Sequence, residues 1–396
     1  MNLSYKYRLQ PTPGQVEVLE EKLNHCRLTY NTLLKHCYDE RKVGRGTPTY
    51  NSLTYHLPAM KVETPELERV FSQVLQNVAR RGRLGFEGYW ARRRAGLKAT
   101  APHFRRVRDY SSLTYPQFGF KLDGSTLKLS KIGELKLRLH RPVEGKIKTL
   151  TISRSPSGKW YAVFTSEVES KPIDGRLPAV GVDLGLNSLV ALSDGTLVEA
   201  PRSYRKSEAK LKKLHRRLSG RCKGSNNRDK ARLQLAAQYE RVVNQRRDFA
   251  YRTARSIVNK YEKIVVEDLK ISNMVRNRHL SKSIGDAGWG LLRGALTYMA
   301  RLSEGVMVLV DPRYTSQLCS GCGKLVSKTL DVRVHICPFC GLVLDRDVNA
   351  ARVILRKGIG MVRAESTPVG EVASTQLSDV GRVASVNQEA HLFRGG

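Results

Sequence analysis

The sequence predicts a multidomain fold of mixed α+β and α/β class, and three observations carry that prediction. A strand-patterned segment at 3–9 is separated by helical pattern from a run of short strands at 113–169, so a helical block is expected to be inserted into a β domain. After residue 179 strands come first and helices are interleaved later, the order of an α/β sheet covered by helices. Two CxxC pairs interrupt this second region with the spacing of a metal-binding insert.

Taken in order, Leu3, Tyr5, Tyr7 and Leu9 alternate with Ser4, Lys6 and Arg8, the period of a half-buried strand. Pro11-Thr12-Pro13 ends that strand, and 15–38 reads as an amphipathic helix. A Gly/Pro/Thr-rich break follows at 44–49. Helical pattern resumes over 65–94, with Leu67, Val70, Phe71, Val74, Leu75 and Val78 on one face. The segment 113–169, with turns at Asp123-Gly124 and Ser157-Gly158, is expected to form a β-barrel or sandwich. A three-strand meander is expected at 180–183, 189–192 and 197–200, turning at Asp194-Gly195. A long basic helical stretch over 204–261, a strand at 264–267, a helix at 289–303 and a strand at 306–310 complete the sheet region. Residues 357–396 are rich in Gly, Ser, Val and Thr without a period and are expected to be a disordered tail.

The 396 residues carry 69 Lys plus Arg against 36 Asp plus Glu, a net charge of +33. Self-repulsion of that size calls for a polyanionic partner, and nucleic acid is the leading one. Residues 357–396 hold four basic and four acidic side chains, so the whole excess lies in 1–356. One dense block, 80–108, has ten basic residues and only Glu87 as an acid. Phe86, Tyr89, Trp90 and Phe104 are interleaved there, which suits phosphate contact and base stacking; the alternative is a solvated helical face. Arg80, Arg81, Arg83, Arg92, Arg93, Arg94, Arg105 and Arg106 are its candidate contacts. A second block, 202–255, has 18 basic residues against four acids, and Lys212, Lys213, Arg216 and Arg217 are its candidates. No stretch approaches the length of uncharged apolar residues a membrane span needs, and 1–6 lacks an apolar signal core.

Three acids sit in or beside apolar strands. Asp183 lies in Gly181-Val182-Asp183-Leu184-Gly185, Glu267 ends Ile264-Val265-Val266-Glu267, and Asp347 lies in Asp345-Arg346-Asp347-Val348-Asn349-Ala350-Ala351. A carboxylate in an apolar strand is costly to bury unless paired or metal-bound, and three converging would repel one another without divalent cations. Such cations activate water and stabilise the leaving oxygen in phosphodiester cleavage. Other readings remain for each segment: the first also suits a phosphate-binding loop, and an acid at a strand end often caps a helix. Asp345 is the rival to Asp347, as such a cap, and Asp268 should face away from Glu267 if the strand continues.

Cys319-Ser320-Gly321-Cys322 and Cys337-Pro338-Phe339-Cys340 form two knuckles, each followed by a glycine, Gly323 and Gly341, for a tight turn. Four thiolates at this spacing make a closed tetrahedral zinc site, structural rather than catalytic. His335 is an alternative ligand that a complete set of four makes unnecessary. Cys26, Cys37 and Cys222 are expected to be structural or incidental. Seven cysteines, four of them in such pairs, point to a reducing compartment.

Together these residues resemble the TnpB family of transposon-encoded, RNA-guided DNA nucleases, relatives of type V CRISPR effectors. The resemblance runs over about 3–356. Its points are Tyr7-Arg8-Leu9-Gln10-Pro11-Thr12 with Gln15, Cys26-Arg27 with Tyr30-Asn31, Gly96 through Pro102-His103-Phe104, Gly181 to Gly185, Val266-Glu267-Asp268-Leu269, Tyr314-Thr315-Ser316-Gln317, and Asp345 to Ala351. One departure is His103 before Phe104, where the family's basic residue is shifted. The resemblance implies a wedge β domain at 1–10 and 113–178, an inserted helical recognition domain at 11–112, and an RNase H-like (RuvC) nuclease domain at 179–312 and 342–356. It also implies a zinc-ribbon insert at 313–341 that contacts target nucleic acid. It further implies an Asp183, Glu267 and Asp347 triad binding two magnesium ions, a guide RNA from the transposon end, double-stranded target DNA read beside a short adjacent motif, and a monomer within the ribonucleoprotein. A prokaryotic, cytoplasmic, nucleoid-associated location follows from it. Two rivals share the charge pattern: an RNA-guided or zinc-ribbon DNA-binding repressor without cleavage, and a cut-and-paste transposase.

Overall fold

The computed structural model describes residues 1–169, 177–329 and 332–364, and the chain divides into two compact units, Met1–Glu169 and Ser170–Gly396. In the first, β1 (Asn2–Leu9) is followed by α1 (Pro13–Lys42), α2 (Tyr50–Glu63) and α3 (Ser72–Arg94). Six strands come next: β2 (Ser112–Tyr115), β3 (Phe120–Asp123), β4 (Thr126–Leu129), β5 (Gly133–Arg138), β6 (Lys146–Arg154) and β7 (Trp160–Glu167). All seven strands join one sheet in the order β2-β6-β7-β1-β5-β4-β3. β1 lies between β7 and β5, with Tyr5 opposite Phe164 and Leu9 opposite Leu137, so the helices are inserted between the first strand and the rest of its sheet. Alternation puts Tyr5, Tyr7 and Leu9 into the core, as the sequence pattern requires.

The expected barrel or sandwich is a single ladder with β2 and β3 as its edges. The Tyr115 hydroxyl, at the end of β2, donates to the Ser130 carbonyl just after β4 (3.1 Å) and draws the two ends of the sheet together. The Pro-Thr-Pro segment ends β1 and starts α1 with a capping box: Thr12 Oγ1 accepts from the Gln15 amide (3.4 Å) and Gln15 Oε1 from the Thr12 amide (3.0 Å). Gln15 Nε2 also donates to the Glu134 carbonyl (2.8 Å), tying α1 to β5. Helix α2 escapes the sequence pattern, because Pro58 lies inside it and only Leu53 and Leu57 are buried. The helical pattern of 65–94 divides into a 3₁₀ turn at Pro65–Arg69 and α3.

The second unit begins with β8 (Ala179–Asp183), β9 (Ser188–Leu192) and β10 (Leu197–Glu199), the expected meander. The basic stretch is two helices, α4 (Ser203–Ser219) and α5 (Asn226–Val258), separated where Ser225 caps α5 by accepting from the Arg228 amide (3.2 Å). Then follow β11 (Lys263–Glu267), α6 (Ile271–Met274), α7 (Arg278–Ala287), α8 (Trp289–Leu302), β12 (Val306–Val310), β13 (Val334–Ile336), β14 (Val343–Asp345) and α9 (Arg346–Ala364). The main sheet has the order β10-β9-β8-β11-β12, with β8, β11 and β12 parallel. Helices cover both of its faces. Val180, Val182, Ile264 and Val266 pack with α5, α7 and α8, whereas Val265 and Val310 pack with Ile354 of α9. Gly181 marks the closest approach on that second side, since a methyl group there would lie 2.0 Å from the Ala351 carbonyl of α9.

One boundary expected from the sequence is corrected. Composition puts the start of the tail at 357, but α9 continues to Ala364. The apolar positions Val353, Ile354 and Leu355 keep the helix docked on the sheet, and the turn they support carries on past Lys357. The remaining tail, 365–396, lies outside the described residues. Among the described residues, no helix is long and apolar enough to cross a membrane.

Candidate active site and metal centre

Sheet parity decides which acids meet. In β8 and β11 the pairs Val265↔Gly181 and Val266↔Val182 are adjacent, so Asp183 and Glu267 come at the ends of neighbouring parallel strands. Each is two residues beyond a position facing α9, Gly181 and Val265, so both project to the α9 side. Asp347 stands in the first turn of α9, on that same side. A methyl group at Gly185, in the turn after β8, would lie 3.6 Å from Asp347 Oδ2, which places the third acid beside the turn that carries the first.

Electrostatics agree with this convergence. Burial, then Glu267, then Asp347 push the Asp183 carboxyl up to about 8. Burial also raises Glu267, which is 8% exposed, but Thr315 and Lys357 hold it down in part. The Thr315 hydroxyl bonds Glu267 Oε1 and sits 2.9 Å from the Pro312 carbonyl, while Lys357 Nζ of α9 donates to the carbonyls of Asp311 (3.1 Å) and Arg313 (2.6 Å). Asp347 is raised by burial and by Asp345, against the pull of Arg333 and Arg346. Without a cation, Asp183 therefore keeps its proton near neutrality. A buried carboxyl of this kind beside two further acids is the donor set hard divalent cations take. The three do not crowd to single-ion spacing, for the only group of three or more potential ligands within 4.8 Å of one another among the described residues is the cysteine cluster.

The rivals separate cleanly. Asp345 Oδ1 accepts from the amides of Asp347 (2.9 Å) and Val348 (3.1 Å), so Asp345 is the helix cap. Asp268 faces outward and takes Arg293 Nη1 at 3.4 Å.

The four cysteines converge. Cys319 Sγ and Cys340 Sγ are 3.6 Å apart, as are Cys322 Sγ and Cys337 Sγ, near the roughly 3.8 Å separation expected of sulfurs about 2.3 Å from a tetrahedral zinc. The geometry thus fits that ion. Gly323 and Gly341 adopt the positive φ, 77° and 72°, that closes each knuckle. His335 is buried in β13 but contributes no atom to the cluster. Cys26 and Cys37 lie in the core of the first unit, where burial pushes their thiols up to about 12 and about 11 and keeps them inert.

Three supporting residues were not picked out as functional from the sequence. Thr315 touches Glu267. Asn349, fully buried on α9, accepts from the Ser320 amide (2.9 Å) and donates to the Leu318 carbonyl (2.8 Å), clamping the first knuckle to the helix that carries Asp347. Trp289 Nε1 donates to the Gly185 carbonyl (3.0 Å) and fixes the turn after Asp183. Thr315 and Asn349 fall inside the runs that carry the resemblance, and an indole beside two glycines was the only signal for Trp289.

Of the basic candidates, Arg80, Arg92, Arg93, Arg94 and Arg106 are exposed, as are Lys212, Lys213, Arg216 and Arg217 on α4. Arg81 donates to the Ser112 carbonyl (2.8 Å) and Thr114 Oγ1 (2.7 Å), and Arg83 to Glu87 (2.9 Å) and the carbonyls of Thr47 and Pro48 (both 3.1 Å). Both are engaged by the protein itself. Arg105 is half-buried, with its guanidinium 6.0 Å from the Tyr30 ring.

Three family descriptions match the chain: "Helix-turn-helix domain" over 1–45, "Probable transposase" over 165–278, and "Cas12f1-like, TNB domain" over 289–354. Residues 1–45 hold β1 and the single helix α1 rather than a helix-turn-helix. A protein of Streptomyces pristinaespiralis named "Putative RNA-guided DNA endonuclease" is 33% identical over 99% of this chain and 97% of its own. The Escherichia coli K12 protein "Putative RNA-guided DNA endonuclease InsQ" is 31% identical over 90% and 92%, and a mimivirus "TnpB-like protein L79" is 25% identical over 57% and 46%. Identity above 30% along nearly the whole chain, to proteins that it also covers almost end to end, establishes that the chain belongs to the TnpB family.

Proposed function

We propose that this protein is an RNA-guided DNA endonuclease of a transposable element, cutting DNA that pairs with a guide RNA from the transposon end, next to a short adjacent motif. The observation that carries the reading is the convergence of Asp183, Glu267 and Asp347 on the α9 face of one parallel sheet, whose strand order suits an RNase H-like (RuvC) nuclease. Two magnesium ions held by these carboxylates would supply an activated water and stabilise the leaving oxygen. The chain's part is positional. Thr315 orients Glu267, Trp289 fixes the turn after Asp183, and the Asp183 carboxyl would have to release its proton to hold a cation. The closed set of Cys319, Cys322, Cys337 and Cys340 would hold one structural zinc.

In this reading base pairing reads the target while exposed Lys and Arg grip backbone and shape. The first unit supplies wedge and recognition functions, and the insert at 313–341 contacts the target. The protein works as a monomer with its RNA, in a prokaryotic cytoplasm near the nucleoid.

The deciding experiment purifies the protein with co-expressed RNA and adds target DNA and magnesium. Wild type should cut and Asp183→Ala should not; equal cleavage by both sinks the assignment. A transposase is the second reading, favoured by the family description over 165–278. It predicts activity that survives RNase treatment of the complex. A repressor predicts target binding with no cut, and three intact acids speak against it.

A further inference from the structure

Phe104 is 53% exposed, although the segment bearing it is fixed on both sides. Before it, the Tyr38 hydroxyl donates to the Pro102 carbonyl. After it, Asn31 grips the Arg105 backbone with both ends of its amide, Nδ2 donating to the carbonyl (3.0 Å) and Oδ1 accepting from the amide (2.8 Å). Arg27 Nη1 adds a third bond to that carbonyl at 3.4 Å. The Phe104 ring centroid lies 6.4 Å from that of Tyr38, with the two planes tilted by 54°. One exposed ring is ordinary by itself, but here the pinned backbone holds it at the mouth of a cleft.

The surroundings say which partner fits there. A cleft of about 560 Å³ opens between Phe104 and α1, lined by Lys35, Tyr38, Asp39, Arg41 and Lys42. Three cations face one carboxylate, and that carboxylate is paired with Lys42 at 3.8 Å. Arg41 is held over Trp90, 4.8 Å from the ring centroid, rather than by an acid. Aromatic faces rimmed by cations suit a flat base joined to a phosphate. An acidic peptide would use the cations and leave the ring idle.

We propose that Phe104 and Tyr38, with Lys35, Arg41 and Lys42, form a stacking slot for one unpaired nucleotide. The occupant must be unpaired, because neighbouring bases cover both faces of a base within a duplex. This rests on the nucleic-acid partner of the proposed function, but it needs neither guide pairing nor cleavage. Arg27 and Asn31 bond Arg105, one residue past Phe104, and Tyr38 bonds Pro102, so the contacts that fix the slot lie at or beside two separated runs, 26–31 and 96–104.

The test uses the full chain with short single-stranded RNA carrying 5-iodouridine in one arm, and DNA carrying 5-iododeoxyuridine in the other. Irradiation followed by peptide mapping should give adducts at Phe104 and Tyr38. Phe104→Leu should lower the Tyr38 adduct about tenfold, as expected for one lost stacking face, while Phe104→Trp keeps it. An unchanged melting temperature would show that the exposed substitution leaves the fold intact. Adducts in the RNA arm alone assign the slot to RNA, and in the DNA arm alone to DNA. Adducts elsewhere but none at these rings in either arm, or a Tyr38 adduct indifferent to Phe104→Leu, overturns the proposal. Because cleavage is never scored, that outcome would leave the endonuclease reading standing.

Discussion

Asp183→Asn should make the magnesium-free protein more stable, and more so as pH rises. In the folded chain the Asp183 carboxyl titrates at about 8, against 3.8 for an ordinary aspartate. Between those values the unfolded chain has released the proton and the folded chain still holds it. The folded state therefore binds more protons, and stability falls with rising pH until the folded group also ionises, near pH 8. At about 1.4 kcal/mol per pKa unit the full loss is on the order of 6 kcal/mol, of which about 4 falls in the readable window from about pH 5 to 8. Asparagine keeps the shape and cannot titrate, so its curve should fall less steeply than that of the wild type, keeping only the slope from the other raised carboxyls, Glu267 and Asp347. Urea unfolding, followed by pulsed hydrogen exchange in peptides from β8 and β11, reads the unit that holds the acids. Chelators are avoided so that any metal on the four cysteines stays in place. Adding magnesium should lift the wild type and leave the variant nearly unmoved. Parallel pH curves for the two proteins would refute the account, because Asp183 would then not be the group that carries the buried proton.

Other expectations follow from the supporting contacts. Thr315→Val should slow single-turnover cleavage about 10- to 100-fold through loss of one bond to a charged acceptor, with target binding unchanged and Thr315→Ser largely restoring the rate. Asn349→Ala removes two buried bonds to the first knuckle and should cost about 2–3 kcal/mol by melting, while metal analysis still finds the zinc. Replacing Cys319 and Cys337 together with Ser should abolish zinc in the same analysis, and zinc retained would refute the four-thiolate site. Binding of non-target DNA should weaken steeply with salt, with a slope of about −0.9 per phosphate contact in a titration series.

What could be read from the sequence was what local periodicity encodes. Alternation at Leu3, Tyr5, Tyr7 and Leu9 placed β1, and a charged residue closing an otherwise apolar strand marked Asp183 and Glu267. The same parity turned Asp268 outward to Arg293. Features without a local period were hidden. Helix α2 carries Pro58 and only two buried leucines, so nothing distinguishes it from a loop. Arg81 and Arg83 look like Arg92 and Arg93 in the sequence, yet their guanidinium groups meet Ser112 and Thr47 on elements that only the folded chain brings near. A count of charge records how many cations there are, not which of them the protein uses for itself.

The least legible feature is the role of α9, because it depends on four contacts spread over a hundred and more residues. One face of this helix settles against β8 where Gly181 leaves room, and its first turn presents Asp347. One turn on, Asn349 holds Leu318 and Ser320 of the first knuckle, and further along Lys357 holds Asp311 and Arg313, just before the Thr315 that touches Glu267. The insert is thus held to the helix on either side of Thr315. Among the described residues its core is Cys319, Val326 and Cys337 with Leu342 beside them, too little to stay rigid by apolar burial. Four thiolates closing on one ion would supply the rigidity that so short a segment lacks. On this geometry the four-cysteine knot acts as a buttress for the candidate site: it keeps the loop whose Thr315 bonds Glu267 fixed against the helix that carries Asp347.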